Sequence, residues 1–440
     1  MRGTEYERLV KRFYSLQKRG MKLSLDGTRA LLRKVGRPEK HLPCVLVGGT
    51  NGKGSACSLI SSVLKASGYS TGLYTSPHLI DFRERIRISG ECVSKNEAHE
   101  LLKFLVPVAE REGNSFFETI TALALRHFKD RDVDIVVAEV GLGGRLDSTN
   151  VLSPLVSIIT GIAVEHRHIL GHTLRTIACE KAGIMRRKRP VVTAAQGTAL
   201  DAIRGVSELL DSQLFVVGKD LELRTRIVSR AGTVFSASVA VFPGFSKQYK
   251  TEWPDLYLGL RGRYQVRNAG CAILTCWKLR DSGFSVSDEA IERGLRDADW
   301  PGRLEERGTH PLVLFDVAHN PQAAAALAEA LATIYRERKV VAVIGMVDDK
   351  DHRAFLRRLL PRVRHAVFTQ ARTPRALPAR ELARRAPVAV RGRSVRDSLP
   401  RAIEEAFRIA GDDELVCVTG SFYTVGEAMT CLGIGIKESI

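Results

Sequence analysis
Short, unbroken runs of β-branched residues, each followed by a helix-patterned stretch, most limit what this chain can fold into. "PCVLVGG" (43–49), "VDIVVAEVG" (133–141), "LVSIITG" (155–161) and "PVVTAA" (190–195) show little alternation of apolar with polar residues. A strand wetted on one face alternates and a strand covered on both faces does not, so these runs predict a parallel sheet buried between helices. From about residue 214 to 260 the texture changes, and "LELRTRIVSRAGTVFSASVAVF" (221–242) and "LYLGLRG" (256–262) do alternate. They predict a small antiparallel appendage with turns at Ala231-Gly232 and Pro243-Gly244. A helix, "NAGCAILTCWKLRDSG" (268–283), follows and ends at Gly283. Near "DADWPGRLE" (297–305) the first texture returns. "PLVLFDVAHN", "KVVAVIGM", "HAVFTQ", "APVAV" (386–390) and "ELVCVTGS" are five further strand candidates separated by helical stretches. A chain of 440 residues exceeds one ordinary core, so two α/β domains are expected.

The first run leads into "TNGKGSACSLISSVLKASG" (50–68), giving strand, glycine-rich turn and helix. That is the setting of a phosphate-binding loop, although the usual G-x-x-x-x-G-K-[ST] spacing fails at both ends. Val47 stands where the first glycine belongs, and Ser55 falls one place late behind Gly54. Gly49, Gly52 and Gly54 still let backbone amides converge on an anion, at a helix N-terminus that adds about half a positive charge. Lys53 can neutralise β- and γ-phosphates, and a hydroxyl of Thr50 or Ser55 can reach Mg²⁺, which suits ATP better than a dinucleotide. The acid such a loop needs for its metal is Glu139, at the end of "VDIVVAEV"; the competing assignment is a salt bridge to Arg145. His166, His168 and His172 follow the next strand, but no carboxylate is fixed relative to them as a zinc hydrolase would need.

Composition narrows the function further. The net charge is +18, and residues 352–401 hold 14 Arg against Glu381 and Asp397. No aromatic interleaving or groove-reading motif accompanies them, so no nucleic-acid partner is expected. No run reaches the 18 apolar residues of a membrane span, and the charged start "MRGTEYERLVKRF" is not a secretory signal, so a cytoplasmic protein is expected. Eight cysteines without a C-x-x-C spacing point to reduced thiols.

Taken in order, "GTNGKGS", "YTSPHL" (74–79), "RERIRISG" (83–90), "SFFET" (115–119), "EVGLGGRLDSTN" (139–150), "LGHTLRTIACEKAGI" (170–184), "GRYQVRNA" (262–269), "PGRLE" (301–305), "DVAHNP" (316–321) and "VTGSFYTVGEA" (418–428) resemble the folylpolyglutamate synthase/dihydrofolate synthase family. That family belongs to the Mur-ligase-like, ATP-dependent amide ligases. The resemblance runs from about residue 22 to 428 and identifies the loop as the shortened form of that superfamily. It implies a P-loop mononucleotide-binding domain with the antiparallel appendage (1–298) and a C-terminal Rossmann-like domain (299–440), hinged near 297–301. It implies that Asn51, Gly52, Lys53, Gly54, Ser55, Asn268, Arg303 and Asp316 bind ATP, and that Ser76, Glu139 and His166 hold Mg²⁺. Lys53, Lys181 and His319 take the catalytic roles, Lys181 as a carboxylated lysine, with Ser421 a further active-site position. Ser115, Phe116, Phe117 and Glu118 with Leu146, Asp147 and Ser148 match the pterin side, and "KLSLDGTRALL" (22–32) matches a segment near it. Glu165 stands where the family usually has Asp, which shifts a contact beside the metal histidine.

The implied reaction converts a carboxylate of dihydropteroate or of a folate to an acyl phosphate, which the α-amine of L-glutamate attacks. The implied partners are small molecules only, and the implied state is a monomer. Two other expectations compete. A peptidoglycan-precursor ligase would carry a UDP-binding domain before a loop that here arrives at residue 48. A phosphate-loop nucleic-acid motor would need the motifs found missing above.

Overall fold
The computed structural model describes residues 4–20, 22–239, 251–387 and 392–436. Its first sheet contains β1 (Cys44–Gly48), β2 (Thr71–Tyr74), β3 (Ile86–Ile88), β4 (Glu91–Cys92), β5 (Ile135–Glu139), β6 (Val156–Ile159), β7 (Val191–Thr193) and β8 (Leu214–Val216). The spatial order is β4-β3-β2-β5-β1-β6-β7-β8, parallel from β2 to β8 with β3 and β4 antiparallel at one edge. Along β1, Cys44 and Leu46 enter one core while Val45 and Val47 enter the other, so helices cover both faces and the sequence had no reason to alternate.

The appendage is a separate antiparallel sheet of β9 (Leu221–Val228), β10 (Thr233–Val239) and β11 (Glu252–Leu258). The β9–β10 turn falls at Ala231-Gly232, where the Ser229 amide donates to the Gly232 carbonyl; Pro243-Gly244 lies outside the described residues. Leu214–Val216, expected to open the appendage, instead pairs with β7 at the edge of the main sheet. Three apolar residues are too few for a periodicity to declare their sheet. The next helix is Tyr264–Arg280, four residues earlier at its start than expected, because the break in the backbone is Gly262 at φ +99°.

The second sheet holds β12 (Glu305–Arg307), β13 (Leu312–Asp316), β14 (Val340–Ile344), β15 (His365–Phe368), β16 (Gly392–Val395) and β17 (Leu415–Thr419) in the order β12-β13-β17-β14-β15-β16. All are parallel except the edge strand β12, which the sequence did not announce. The strand expected at "APVAV" lies at Gly392–Val395 instead, and residues 388–390 are outside the description. The polar "GRSV" suits a half-wetted edge and carries no buried-strand signature. Among the described residues, no helix is long and apolar enough to cross a membrane.

Candidate active site
Strand register builds the site. β1 lies between β5 and β6, which sets Val47 beside Glu139 just before the chain enters the glycine loop. Gly49 has φ +139°, and a Cβ there would stand 1.9 Å from Thr160 Oγ1. Thr160 uses that hydroxyl to donate to the Asn51 carbonyl at 2.8 Å, which folds the loop back over β6. Gly52, at φ +88°, opens the helix Lys53–Ala66 without any capping side chain, so the first amides are left for another acceptor. Gly49→Ala should therefore lower stability by about 2 kcal/mol or more, read as a drop in thermal midpoint. An unchanged midpoint would mean that the loop takes another path.

Beneath the loop lie three charged groups, Glu139 and Lys181 buried and Lys53 half-buried. Lys53 Nζ sits 4.0 Å from Glu139 Oε1 and 3.3 Å from the Thr50 carbonyl oxygen. Glu139 Oε2 accepts from the Ser76 amide at 3.0 Å. Burial pushes the Glu139 carboxyl above its ordinary range, against the opposing pull of Lys53, the Ser76 amide and Arg303. Arg145, the competing partner, pairs with Glu180 at 2.9 Å instead. Lys181 is 4% exposed and donates to the Gly49 carbonyl at 2.7 Å. Burial, aided by the positive charge of Lys53, lowers its pKa to about 7. A buried carboxylate with spare lone pairs beside a hydroxyl-bearing residue is a donor set that fits a hard divalent cation such as Mg²⁺. His166, at φ +52°, lies 3.7 Å from Glu165, and burial with the charge of Lys350 lowers its pKa to about 4. His168 is exposed, and among the described residues no three His, Cys, Asp or Glu gather as a metal site.

The second domain closes the site from above. Its contributions come from the ends of β13, β14 and β17, which the register holds side by side at Asp316, Ile344 and Thr419. Asp316 accepts from the amides of Leu304 (3.1 Å) and Ala318 (2.9 Å), and burial raises its pKa. Arg303 lies over the Phe422 ring, and Ser421 caps the helix Phe422–Cys431 by accepting from the Thr424 amide. Asn51 of the loop reaches across to Asn320 (2.8 Å) and Gln322 (2.6 Å). Between the halves lies a cavity of about 260 Å³ lined by Asn51, Gly52, Ser55, Asn268, Arg303, Asp316 and His319, among others. Seven sequence-selected positions thus converge on one space.

Lys350 was not foreseen. Its Nζ bonds Glu165 Oε1 at 2.5 Å, and His319 Nε2 lies 3.5 Å from the same oxygen while Nδ1 donates to the Val317 carbonyl. Burial alone would raise Glu165, but His319 and Lys350 outweigh it and hold the carboxyl far below its usual range. With its folded pKa depressed, Glu165 contributes stability in full above about pH 4.3 and loses it as pH falls through the folded value. Lys350→Met leaves that acid half-partnered and should cost the closed form about 3 kcal/mol. Faster limited proteolysis near residues 297–301 would report it; an unchanged cleavage rate would mean that the Lys350–Glu165 bond does not hold the two domains together.

On the other face of the first sheet, Ser115 and Glu118 form a reciprocal helix cap, with Glu118 Oε2 accepting from the Ser115 amide and hydroxyl. Asp147 accepts from the Leu142 and Thr149 amides, while Thr28 donates to Ser148 at 3.0 Å. A Cβ on Gly27 would meet Glu118 Oε1 at 2.0 Å, so the segment around 22–32 joins both pieces, with Leu146 half-buried beside them. Phe116 is enclosed: Tyr14 stacks on it at 5.6 Å and Arg85 lies over it at 5.2 Å. Phe117 is only half-buried and faces Gly141.

Comparison with known proteins agrees with this geometry. Residues 47–276 match the Mur ligase middle domain and residues 302–422 the Mur ligase glutamate ligase domain. A probable bifunctional folylpolyglutamate synthase/dihydropteroate synthase of Haloferax volcanii is 36% identical over 97% of the chain, which spans only 50% of that relative's length. The dihydrofolate synthase/folylpolyglutamate synthase of Bacillus subtilis is 35% identical over 93% of the chain and 94% of its own. Among solved structures, Mycobacterium tuberculosis folylpolyglutamate synthase complexed with ADP superposes with a TM-score of 0.87 at 30% identity, covering 99% and 100% of the two chains. A bifunctional folylpolyglutamate synthase/dihydrofolate synthase with Mn, AMPPNP and L-glutamate bound gives a TM-score of 0.81 at 31% identity, covering 97% and 98%.

Proposed function
Because the chain belongs to the folylpolyglutamate synthase/dihydrofolate synthase family of Mur ligases, we propose that it joins L-glutamate to dihydropteroate, to the γ-carboxylate of a (tetrahydro)folate, or to both, using ATP. The observation that carries this is the cavity between the uncapped loop at Gly52–Ser55 and the end of β13 with the segment after it, Asp316–His319, with Lys53 and Glu139 beneath the loop.

A carboxylate is a poor electrophile, and phosphorylation by ATP makes it one. Attack of the substrate carboxylate on the γ-phosphorus forms an acyl phosphate and releases ADP. Glutamate's amine then attacks the acyl carbon, phosphate leaves, and the amine's proton goes to solvent or a nearby base. In this reaction Asn51, Gly52, Lys53, Gly54, Ser55, Asn268, Arg303 and Asp316 bind the nucleotide. Lys53 and Arg303 offset charge that builds on the transferring phosphoryl group. Ser76, Glu139 and His166 would hold Mg²⁺, which would supply charge neutralisation when bound. His319, bridged to Glu165, and Ser421 complete the second domain's side. Lys181 is carboxylated: its neutral amine adds to CO₂, a proton leaves, and the carbamate is an anion that could serve as a metal ligand. Ser115, Phe117, Glu118, Leu146, Asp147 and Ser148 line the pterin side, with Phe116 as the backing of that wall.

The domains divide between Ala298 and Asp299, and the protein acts as a cytoplasmic monomer. The test is phosphate release with ATP, Mg²⁺ and glutamate. It should rise only when dihydropteroate or a folate is added, with a product heavier by one glutamyl unit. Release that follows UDP-linked muramyl substrates or nucleic acid instead would overturn the proposal.

A further inference from the structure
Of the 14 Arg between residues 352 and 401, several are tied down: Arg364 to Glu414, Arg375 to Asp349, Arg385 to Glu381 and Arg396 to Glu405. Arg353, Arg357, Arg358, Arg362, Arg380 and Arg384 are exposed and have no acidic partner among the described residues. They lie on two helices and a following turn, His352–Leu359, Leu360–Arg362 and Ala379–Arg384, which pack through Phe355, Leu359 and Leu382 on the same face of the second sheet. The helices touch where Arg385 Nη1 meets His352 Nδ1 at 2.7 Å.

Their placement costs stability in two ways. Arg353 and Arg380 are each the second residue of a helix, where a cation opposes the helix dipole. Arg353–Arg357 and Arg380–Arg384 are each spaced i,i+4, which stacks like charges one turn apart. Such an arrangement, repeated on two neighbouring helices, calls for an anion to offset it. Both helices also follow β14 and β15, whose carboxyl ends face the cleft, and the first begins next to Lys350 at the reaction centre. The first helix therefore begins beside the site, and the second meets it there through Arg385.

Resting on the function proposed above, we propose that this face binds the oligo-γ-glutamate tail of the substrate. Each glutamate joined through its γ-carboxyl leaves a free α-carboxylate, so the acceptor gains one negative charge per round. Guanidinium groups bind carboxylates in paired fashion, and a flexible polycarboxylate can meet several without a rigid pocket.

The test compares the full chain with its R353Q/R357Q/R380Q/R384Q variant on pteroyl monoglutamate and pteroyl pentaglutamate. The variant's KM for the pentaglutamate should rise about tenfold, with kcat and the monoglutamate KM unchanged. High salt should erase the parent's preference for the long tail. Free penta-γ-glutamate should bind the parent and not the variant in calorimetry. An unchanged pentaglutamate KM, or equal peptide binding by both proteins, overturns the inference. If neither protein acts on the monoglutamate, the ligase reading fails, and peptide binding alone then decides the face. Binding of oligouridylate that the substitutions abolish, without peptide binding, also overturns it.

Discussion

Lys53→Ala should lower ATP-dependent phosphate release about a thousandfold while leaving the far-UV spectrum unchanged. Lys53 is the one ammonium placed at the start of the loop helix, 4.0 Å from the buried Glu139 carboxylate. Without it, phosphoryl charge in the transition state loses the ammonium that the loop itself supplies. Glu139 would also lose the cation that most opposes its burial, and its pKa would rise further. Metal affinity should therefore fall along with turnover, because a protonated carboxyl is a poor ligand. Lys53→Arg keeps the charge but not the compact ammonium, and should recover little activity. Retained turnover in Lys53→Ala would remove the loop from the reaction.

Replacing Lys181 with Ala should cost about a hundredfold in activity, with partial rescue by short carboxylates. Its chemistry follows from burial. An exposed lysine titrates near 10.4, so at neutral pH almost none is free amine, whereas Lys181 titrates at about 7. The nucleophilic fraction at pH 7 is thereby larger by on the order of a thousandfold. CO₂ can add, and the loss of activity as pH falls below about 7 should track protonation of this amine. Between the folded value near 7 and the unfolded value near 10.4 the unfolded chain binds the extra proton, so stability rises with pH across that window. Parent enzyme stripped of bicarbonate should slow and recover on its return. Full activity in Lys181→Ala, or indifference to bicarbonate, would sink the carbamate.

What the sequence made legible was local chemistry. Glycines around a lysine, and an acid at a strand end, have short-range signatures, and Gly52, Lys53 and Glu139 do meet. The unbroken apolar runs also declared both sheets, because burial on two faces suppresses alternation. Contacts made by distant residues left no such trace. Glu165 was noticed only as a departure from a pattern, and its bond to Lys350 spans 185 residues of sequence. Lys350 sits in a polar turn, "DDKD", that reads as solvated surface until the domains close. Likewise "SFFE" matched the pterin side as a block, and only the fold shows that Tyr14 already covers Phe116. Strands of three or four residues, such as β8 and β16, are shorter than any periodicity can resolve.

In the proposed reaction a triphosphate held over Gly52–Ser55 activates a carboxylate for capture by an amine. Transfer of oxygen-18 from that carboxylate decides whether it does. With both oxygens of the substrate carboxylate labelled, turnover with ATP and glutamate should deliver one labelled oxygen into each inorganic phosphate released. Phosphate free of label, alongside normal product, would contradict the acyl-phosphate route.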